Sequence, residues 1–392
     1  MRKDSKTSKD TATSAKTPTH LRSGLKHPGT WVVKLGSALL TRAGLDLECA
    51  AIADWVAQLA ALHARGYQIV LVSSGAVAAG LARLGWKTRP TAIDQLQAAA
   101  AVGQMRLVQA YEQAFQKFHL TTAQILLTAA DLSDRTGYLN ARSTIRTLLA
   151  AGSIPIINEN DSVATDEIRF GDNDRLAGLV ANLVQADWLL ILTDQNGLHT
   201  ADPRHTPDAK LIPQAAASDE KLAQMAAPSA GTLGRGGMQT KLAAARLAAR
   251  SGTHSILCNG RTPHILERLA QAENLGTLLY ADNAPLAARK RWLAGQLRVA
   301  GTLHLDAGAA QALGAGRSLL PIGVTAVAGT FTRGDLVSLR TAAGTELARG
   351  LVNYSAAESR QIIGRRSPQI TQILGYSNAD ALVHRDNLVL LN

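Results

Sequence analysis

From Ile154 to Asp174 the chain sets a short apolar run against two clusters of amides and acids: Ile154-Pro155-Ile156-Ile157, then Asn158-Glu159-Asn160-Asp161, and further on Gly171-Asp172-Asn173-Asp174. The β-branched residues after Gly152 favour a buried strand, which puts the first polar cluster at its carboxyl end. Glu159, Asp161, Asp166, Glu167 and Asp172 place five carboxylates within fourteen residues, with Asp174 just beyond. An amide can donate where a carboxylate only accepts, so the mixture suits a polar zwitterion or a metal-bound nucleotide. The plainer account is a solvated acidic loop ending as an N-cap for an apolar helix that starts near Leu176.

Further candidates sit at polar and glycine-containing turns. Lys34 lies near the end of an apolar strand, just before the turn Gly36-Ser37. A lysine there either snorkels to solvent or meets phosphate together with the N–H groups of the turn. Ser73-Ser74-Gly75-Ala76 follows another strand and opens a helix, whose N-terminus attracts anions. Close packing of helix on sheet would select Gly75 and Gly80 equally well. Thr193-Asp194 ends a buried strand, where open α/β sheets hold ligands. The run from Gly231 through Arg235, Gly236, Gly237, Met238, Gln239 and Thr240 to Lys241 is a glycine-rich loop at the head of a helix, yet neither a Walker A sequence nor a dinucleotide fingerprint.

Alternating elements must position these turns. Apolar periodicity predicts helices over 45–65, 96–118, 138–150, 176–185, 241–250 and 263–270, with strands over 30–36, 68–73, 122–127, 154–157, 187–193 and 255–258. This β-α-β alternation calls for a mostly parallel sheet covered on both faces. With 392 residues and 46 % apolar content the chain can bury a full core, and its length allows about two to three domains. No run of about eighteen apolar residues occurs, so no membrane span is expected.

The net charge of +11 raises the question of nucleic acid. Residues 1–28 hold seven Lys and Arg against two Asp, so +5 of the excess falls in a Lys/Thr/Ser tail expected to be disordered. The tail lacks the apolar h-region of a secretory signal. Cys49 and Cys258 stand alone, without metal-ligand spacing, so no protein-bound metal is expected and a cytoplasmic, reduced protein is the simplest account.

Val33-Lys34-Leu35-Gly36-Ser37, Ser73-Ser74-Gly75-Ala76, Ile157-Asn158-Glu159-Asn160-Asp161, Gly171-Asp172-Asn173-Asp174, Leu192-Thr193-Asp194 and Gly236-Gly237-Met238-Gln239-Thr240-Lys241 occur in one order. Together they closely resemble the amino-acid kinase family, and within it the branch acting on glutamate. The likeness runs from about Trp31 to the C-terminus and includes Asn140-Ala141-Arg142 and Arg289-Lys290-Arg291-Trp292. It implies an αβα sandwich with a mostly parallel central sheet over 29–284. The implied activity is ATP-dependent phosphorylation of the side-chain carboxylate of L-glutamate, with Mg²⁺, for proline synthesis. By the same resemblance Lys34 and Lys241 meet the transferring phosphoryl group, with Asp174 between them. Ser74, Asn158, Asp161, Asp172 and Asn173 match glutamate-binding positions; Thr193, Asp194 and the loop from Arg235 to Lys241 match nucleotide-binding ones. Two departures stand out: Ser73 where Thr is common, and Arg235 where a small Thr is common. Feedback inhibition by proline and a homo-oligomer, dimer or tetramer, are implied by the family alone.

After residues 285–296, expected to form a linker that includes the basic run 289–291, the texture changes to short β-like runs at 301–306, 318–324 and 329–337, broken by glycine. A small β-barrel-like module over 297–392 is expected, and it resembles the PUA domain, which also occurs in RNA-modifying enzymes. RNA binding is therefore the rival function class, and it requires no pair of lysines around an Asp. Other acceptors used within the family, such as aspartate, acetylglutamate, carbamate or UMP, are the nearer competitors.

Overall fold

Six-residue apolar runs build most of the first sheet. The computed structural model describes residues 18–42, 44–164, 173–226, 237–282 and 299–391. In chain order its first ten strands are β1 (Thr30–Leu35), β2 (Thr41–Arg42), β3 (Asp46–Leu47), β4 (Gln68–Ser73), β5 (Thr122–Leu127), β6 (Ile154–Glu159), β7 (Trp188–Thr193), β8 (Gln214–Ala216), β9 (His254–Asn259) and β10 (Thr277–Tyr280). β2 and β3 pair with each other, and the other eight form one sheet in the order β5-β6-β4-β1-β7-β9-β10-β8. Every pairing in that sheet is parallel except β9 with β10.

Alternation along each strand sorts side chains between two cores. Trp31, Val33 and Leu35 enter one, with helices Cys49–Ala64 and Ile93–Gln116; Val32 enters the other, with helices Arg135–Ala150, Asp174–Val184 and Met238–Ala249. Lys34 shares the parity of Val32 and therefore faces the helix that begins at Asp174. Such burial on both faces is what an all-apolar parallel strand requires.

Glycines set the closest helix contacts. A Cβ at Gly80 would lie 1.7 Å from the carbonyl oxygen of Ala99, and one at Gly103 would lie 1.8 Å from that of Ala76. Gly80 thus serves the packing of helix Ala76–Leu84 against helix Ile93–Gln116, rather than of helix on sheet. Gly178 does the same for the pair Asp174–Val184 and Met238–Ala249, where a Cβ would approach Ala244 O to 2.7 Å. That contact brings the helices carrying Asp174 and Lys241 close together.

The N-terminal expectation needs correction. Pro18–Lys26 forms a 3-10 helix on the sheet domain, with Leu25 fully buried. Arg22 donates to the carbonyls of Leu275 at 2.9 Å, and of Pro213 and Gly276 at 3.2 Å. Basic composition hid a Leu21/Leu25 spacing of one helical turn and an arginine that satisfies carbonyls at a strand end. Any disordered stretch must stop short of Pro18, and residues 1–17 lie outside the described ones. The helix expected over 45–65 starts at Cys49, because Asp46 and Leu47 pair with β2 instead.

The C-terminal part has its own core and a five-stranded sheet, from β11 (Gly301–Leu305), β12 (Val324–Gly329), β13 (Leu336–Thr341), β14 (Glu346–Val352) and β15 (Val383–Leu390), in the order β12-β11-β13-β14-β15. Two expected β-like runs are displaced. Pro321–Gly323 is a 3-10 turn, since proline cannot donate to a ladder, and Gly329 and Gly334, both at φ near +90°, delimit a loop before β13. Leu139 on helix Arg135–Ala150 packs with Leu336, Leu351 and Val389, so the two parts share a small apolar contact. The linker expected at 285–296 lies outside the described residues. No helix among the described residues is long and apolar enough to cross a membrane.

Candidate functional site

The carboxyl ends of β4, β1, β7 and β6 converge on one rim, because their parallel register sets Leu35 beside both Ser73 and Leu192. Asp174 is the first residue of helix Asp174–Val184 and is fully buried. Lys34 Nζ lies 2.6 Å from its Oδ1 and Lys241 Nζ 2.9 Å from its Oδ2. The hydroxyl of Thr240 donates to the same Oδ2 at 2.9 Å. Both lysines are almost entirely buried. Two ammonium groups gripped by one carboxylate form a rigid cationic pair in a low-dielectric setting, where Coulomb interactions are far stronger than in water. Gly36 lies beside Lys34, where a Cβ would make an ordinary contact at 3.7 Å from the ammonium.

A polar chain continues from this cluster. Asn173, next to Asp174, donates through Nδ2 to Asn158 Oδ1 at 2.6 Å and to the carbonyl of Ser73 at 2.5 Å. Asn158 in turn donates to Gln104 Oε1 at 2.7 Å. Ser73 is sequestered: its hydroxyl meets the phenol of Tyr111 at 2.9 Å, and burial pushes that phenol well above its usual pKa. Ser74 differs, for its hydroxyl is buried and has no hydrogen-bond partner among the described residues. Buried hydroxyls are rarely left so.

Asp161 lies beyond β6 and lines a cleft of about 250 Å³ with Gln104, Gln124, Glu159 and Asn160. It stands on the amide side of the site, with Gln104 as the shared neighbour. Thr193 is buried at the end of β7 and donates to Asp194 Oδ1 at 3.1 Å, whereas Asp194 is exposed. Gly237 precedes helix Met238–Ala249, whose first turn holds Gln239, with Nε2 donating to Ala226 O at 3.1 Å, and Thr240. Asp172, Arg235 and Gly236 lie outside the described residues.

Two participants were not singled out from the sequence. Gln104 is a buried amide on the otherwise apolar face of helix Ile93–Gln116, flanked by Ala100, Gly103 and Leu107. A polar residue at an apolar helical position was its only sequence signal. Tyr111, one face-repeat further along, anchors Ser73 and gave no signal beyond an ordinary core aromatic.

Comparison with known proteins adds to this geometry. Residues 29–259 match the amino acid kinase family and residues 301–374 the PUA domain. A glutamate 5-kinase of Ectopseudomonas mendocina (strain ymp) is 60 % identical over 362 residues, covering 92 % of this chain and 97 % of that protein. Another, of Thioalkalivibrio sulfidiphilus (strain HL-EbGR7), is 58 % identical over 374 residues, with 95 % and 100 % covered. A third, of Azoarcus sp. (strain BH72), is 59 % identical over 370 residues, covering 94 % and 100 %.

Proposed function

This chain belongs to the amino acid kinase family, and we infer that it transfers the γ-phosphoryl group of ATP to the side-chain carboxylate of L-glutamate, giving L-glutamyl 5-phosphate, the first step of proline biosynthesis. The observation that carries the reading within the site is the pair of buried ammonium groups on one carboxylate, Lys34 and Lys241 on Asp174. A carboxylate oxygen of glutamate attacks the γ-phosphorus. The bond to the bridging oxygen breaks, and ADP leaves with the electron pair. The nucleophile is already ionised at neutral pH, so no general base is needed and catalysis reduces to positioning and charge stabilisation.

In this reading Lys34 and Lys241 face the equatorial oxygens of the phosphoryl group in flight. Asp174 holds both in place without meeting the substrate itself. Ser74 offers its unspent hydroxyl to a glutamate carboxylate. Asn158 and Asn173 orient that region, and Asp161 and Asp172 accept from the α-ammonium. Thr193, Asp194 and the residues from Arg235 to Lys241 serve the nucleotide. Magnesium would enter with ATP, held by phosphate oxygens and water, and would spread the charge that builds on the β- and γ-phosphates. Asp174 is an unsuitable ligand for it, since Lys34, Lys241 and Thr240 already engage its oxygens.

We further propose 29–284 as the catalytic part and 297–392 as the appended module. Inhibition by proline, homo-oligomer assembly and RNA contact through the module rest on family resemblance, and a cytoplasmic location on the isolated cysteines. The deciding experiment measures ATP consumption with glutamate, aspartate, acetylglutamate, carbamate and UMP in turn, with hydroxylamine to trap acyl phosphate. Hydroxamate from glutamate alone supports the reading; turnover on another acceptor, or on none, overturns it.

A further inference from the structure

At the opposite end of the sheet from Lys34 lies a second cavity of about 810 Å³, bounded by the amino ends of β7 and β9, the 3-10 segment Pro18–Lys26 and strand β15 of the C-terminal part. Its size falls in the range of small-molecule pockets, which favour domain interfaces. Asp386 and Asn387 of β15 line it together with Arg142 of helix Arg135–Ala150.

Arg142 is the anomaly. It is only 5 % exposed, and its Nε and Nη2 have no hydrogen-bond partner among the described residues. Its Nη1 reaches the side-chain oxygen of Asn387, while Nη2 stands 3.8 Å from the carboxylate of Asp386. That carboxylate is not available to Arg142 alone, since Arg146 binds it directly and His384 Nδ1 lies 3.4 Å away. Burial lowers the pKa of Arg142, as expected where the charge is poorly compensated. The second carboxylate of the cavity, Asp187, already accepts from the backbone of Thr30 at 2.8 Å. Arg250 adds a further cation at the rim, and His254 Nδ1 accepts from Ala281 N–H, which keeps that nitrogen unprotonated. A guanidinium buried with unmet donors calls for an oxyanion, which its planar fork fits. Tyr138, Leu179, Trp188 and Leu247 supply apolar wall.

We propose that this cleft is a second ligand site, taking a small molecule that carries a carboxylate or phosphate group on an apolar ring, with Arg142 as the anion anchor. The unmet nitrogens are enclosed, so the guanidinium must take a rotamer step toward the cavity. That step releases Asn387 and ties occupancy to the contact between the two parts of the chain.

Calorimetric titration of the full chain with phenyl phosphate and with benzoate tests this, in the presence of ADP and L-glutamate to occupy the first site. The expected result is saturable binding of at least one probe with Kd below about 1 mM. The tighter probe identifies the headgroup. Arg142→Gln should weaken binding about tenfold or more through loss of a charge-assisted contact. Should that variant fold poorly, Arg250→Gln at the exposed rim should weaken it about threefold, as a screened charge does. No saturable binding of either probe, displacement by ADP or glutamate, or equal affinity in both variants and the parent would overturn the proposal. None of these readouts depends on turnover, so they stand apart from the test of the kinase reaction.

Discussion

Replacing Asp174 by Asn keeps the side chain's shape and removes the charge that two buried lysines share. Lys34 Nζ and Lys241 Nζ lie 2.6 and 2.9 Å from its separate oxygens, so one substitution breaks two buried ion pairs. Removing one partner of a buried pair costs about 3–5 kcal/mol, because the remaining charge keeps its desolvation penalty. The second pair adds less than its full value, since both share one partner. For a domain of this size each kcal/mol moves the melting temperature by roughly 2–4 °C, giving a fall of roughly 6–20 °C. A bound nucleotide would return negative charge to the lysines, so ADP should raise the melting temperature of Asp174→Asn more than that of the parent. Turnover should drop on the order of 10²–10³-fold, as for loss of a preorganised electrostatic contact. Thermal melts with and without ADP, together with the hydroxamate assay, read all three effects. A variant that melts within about 2 °C of the parent, with turnover nearly intact, would show that the cluster neither holds the fold nor serves the reaction.

Lys241→Ala leaves Asp174 paired with Lys34 and should abolish turnover with little change in melting; substantial hydroxamate formation would remove this lysine from the proposed role. Ser74→Ala and Asp161→Ala should each raise the KM for glutamate about tenfold while sparing that for ATP, and equal effects on both substrates would contradict an acceptor contact. Gly103→Ala drives a Cβ to 1.8 Å from Ala76 O and 2.3 Å from Gly80 N, so it should cost about 3 kcal/mol in a denaturant titration; an unchanged midpoint would mean the two helices part freely. Deleting 1–17 should leave melting and turnover unchanged, whereas deleting 1–28 removes buried Leu25 and the Arg22 contacts and should lower the melting temperature by several degrees. Equal behaviour of the two truncations would contradict the docked 3-10 segment.

Much of the sheet was legible from local pattern alone. β1, β4, β6 and β7 are runs of Val, Ile and Leu closed by polar turns, and a strand buried on both faces has almost no other way to be written. The rim of the site was legible for the same reason: Lys34, Ser74, Asn158 and Thr193 interrupt or end apolar runs, where a polar side chain is costly unless it has work to do. The order of the short motifs then carried the family. Boundaries were less certain at Leu45–Leu47 and across 318–337, where pairing partners distant in the chain decide between helix, strand and turn.

What tertiary structure decided was which of those residues meet. Sequence spacing cannot show that Asp174 grips Lys34 from one strand and Lys241 from another helix; that depends on strand parity and on the backbone approach that Gly178 permits against Ala244. Nor can it separate Ser73, consumed by Tyr111, from Ser74, whose hydroxyl has no partner among the described residues. Gln104 and Arg22 look like an interior amide and a tail cation until packing assigns them Asn158 and a row of carbonyls. Arg142 stood in a short motif with no visible task, and only the docking of β15 on its helix reveals a buried guanidinium at the edge of a cavity. Local sequence sets propensity and polarity residue by residue, whereas a site is a set of distances, and those exist only once the two cores have closed around the sheet.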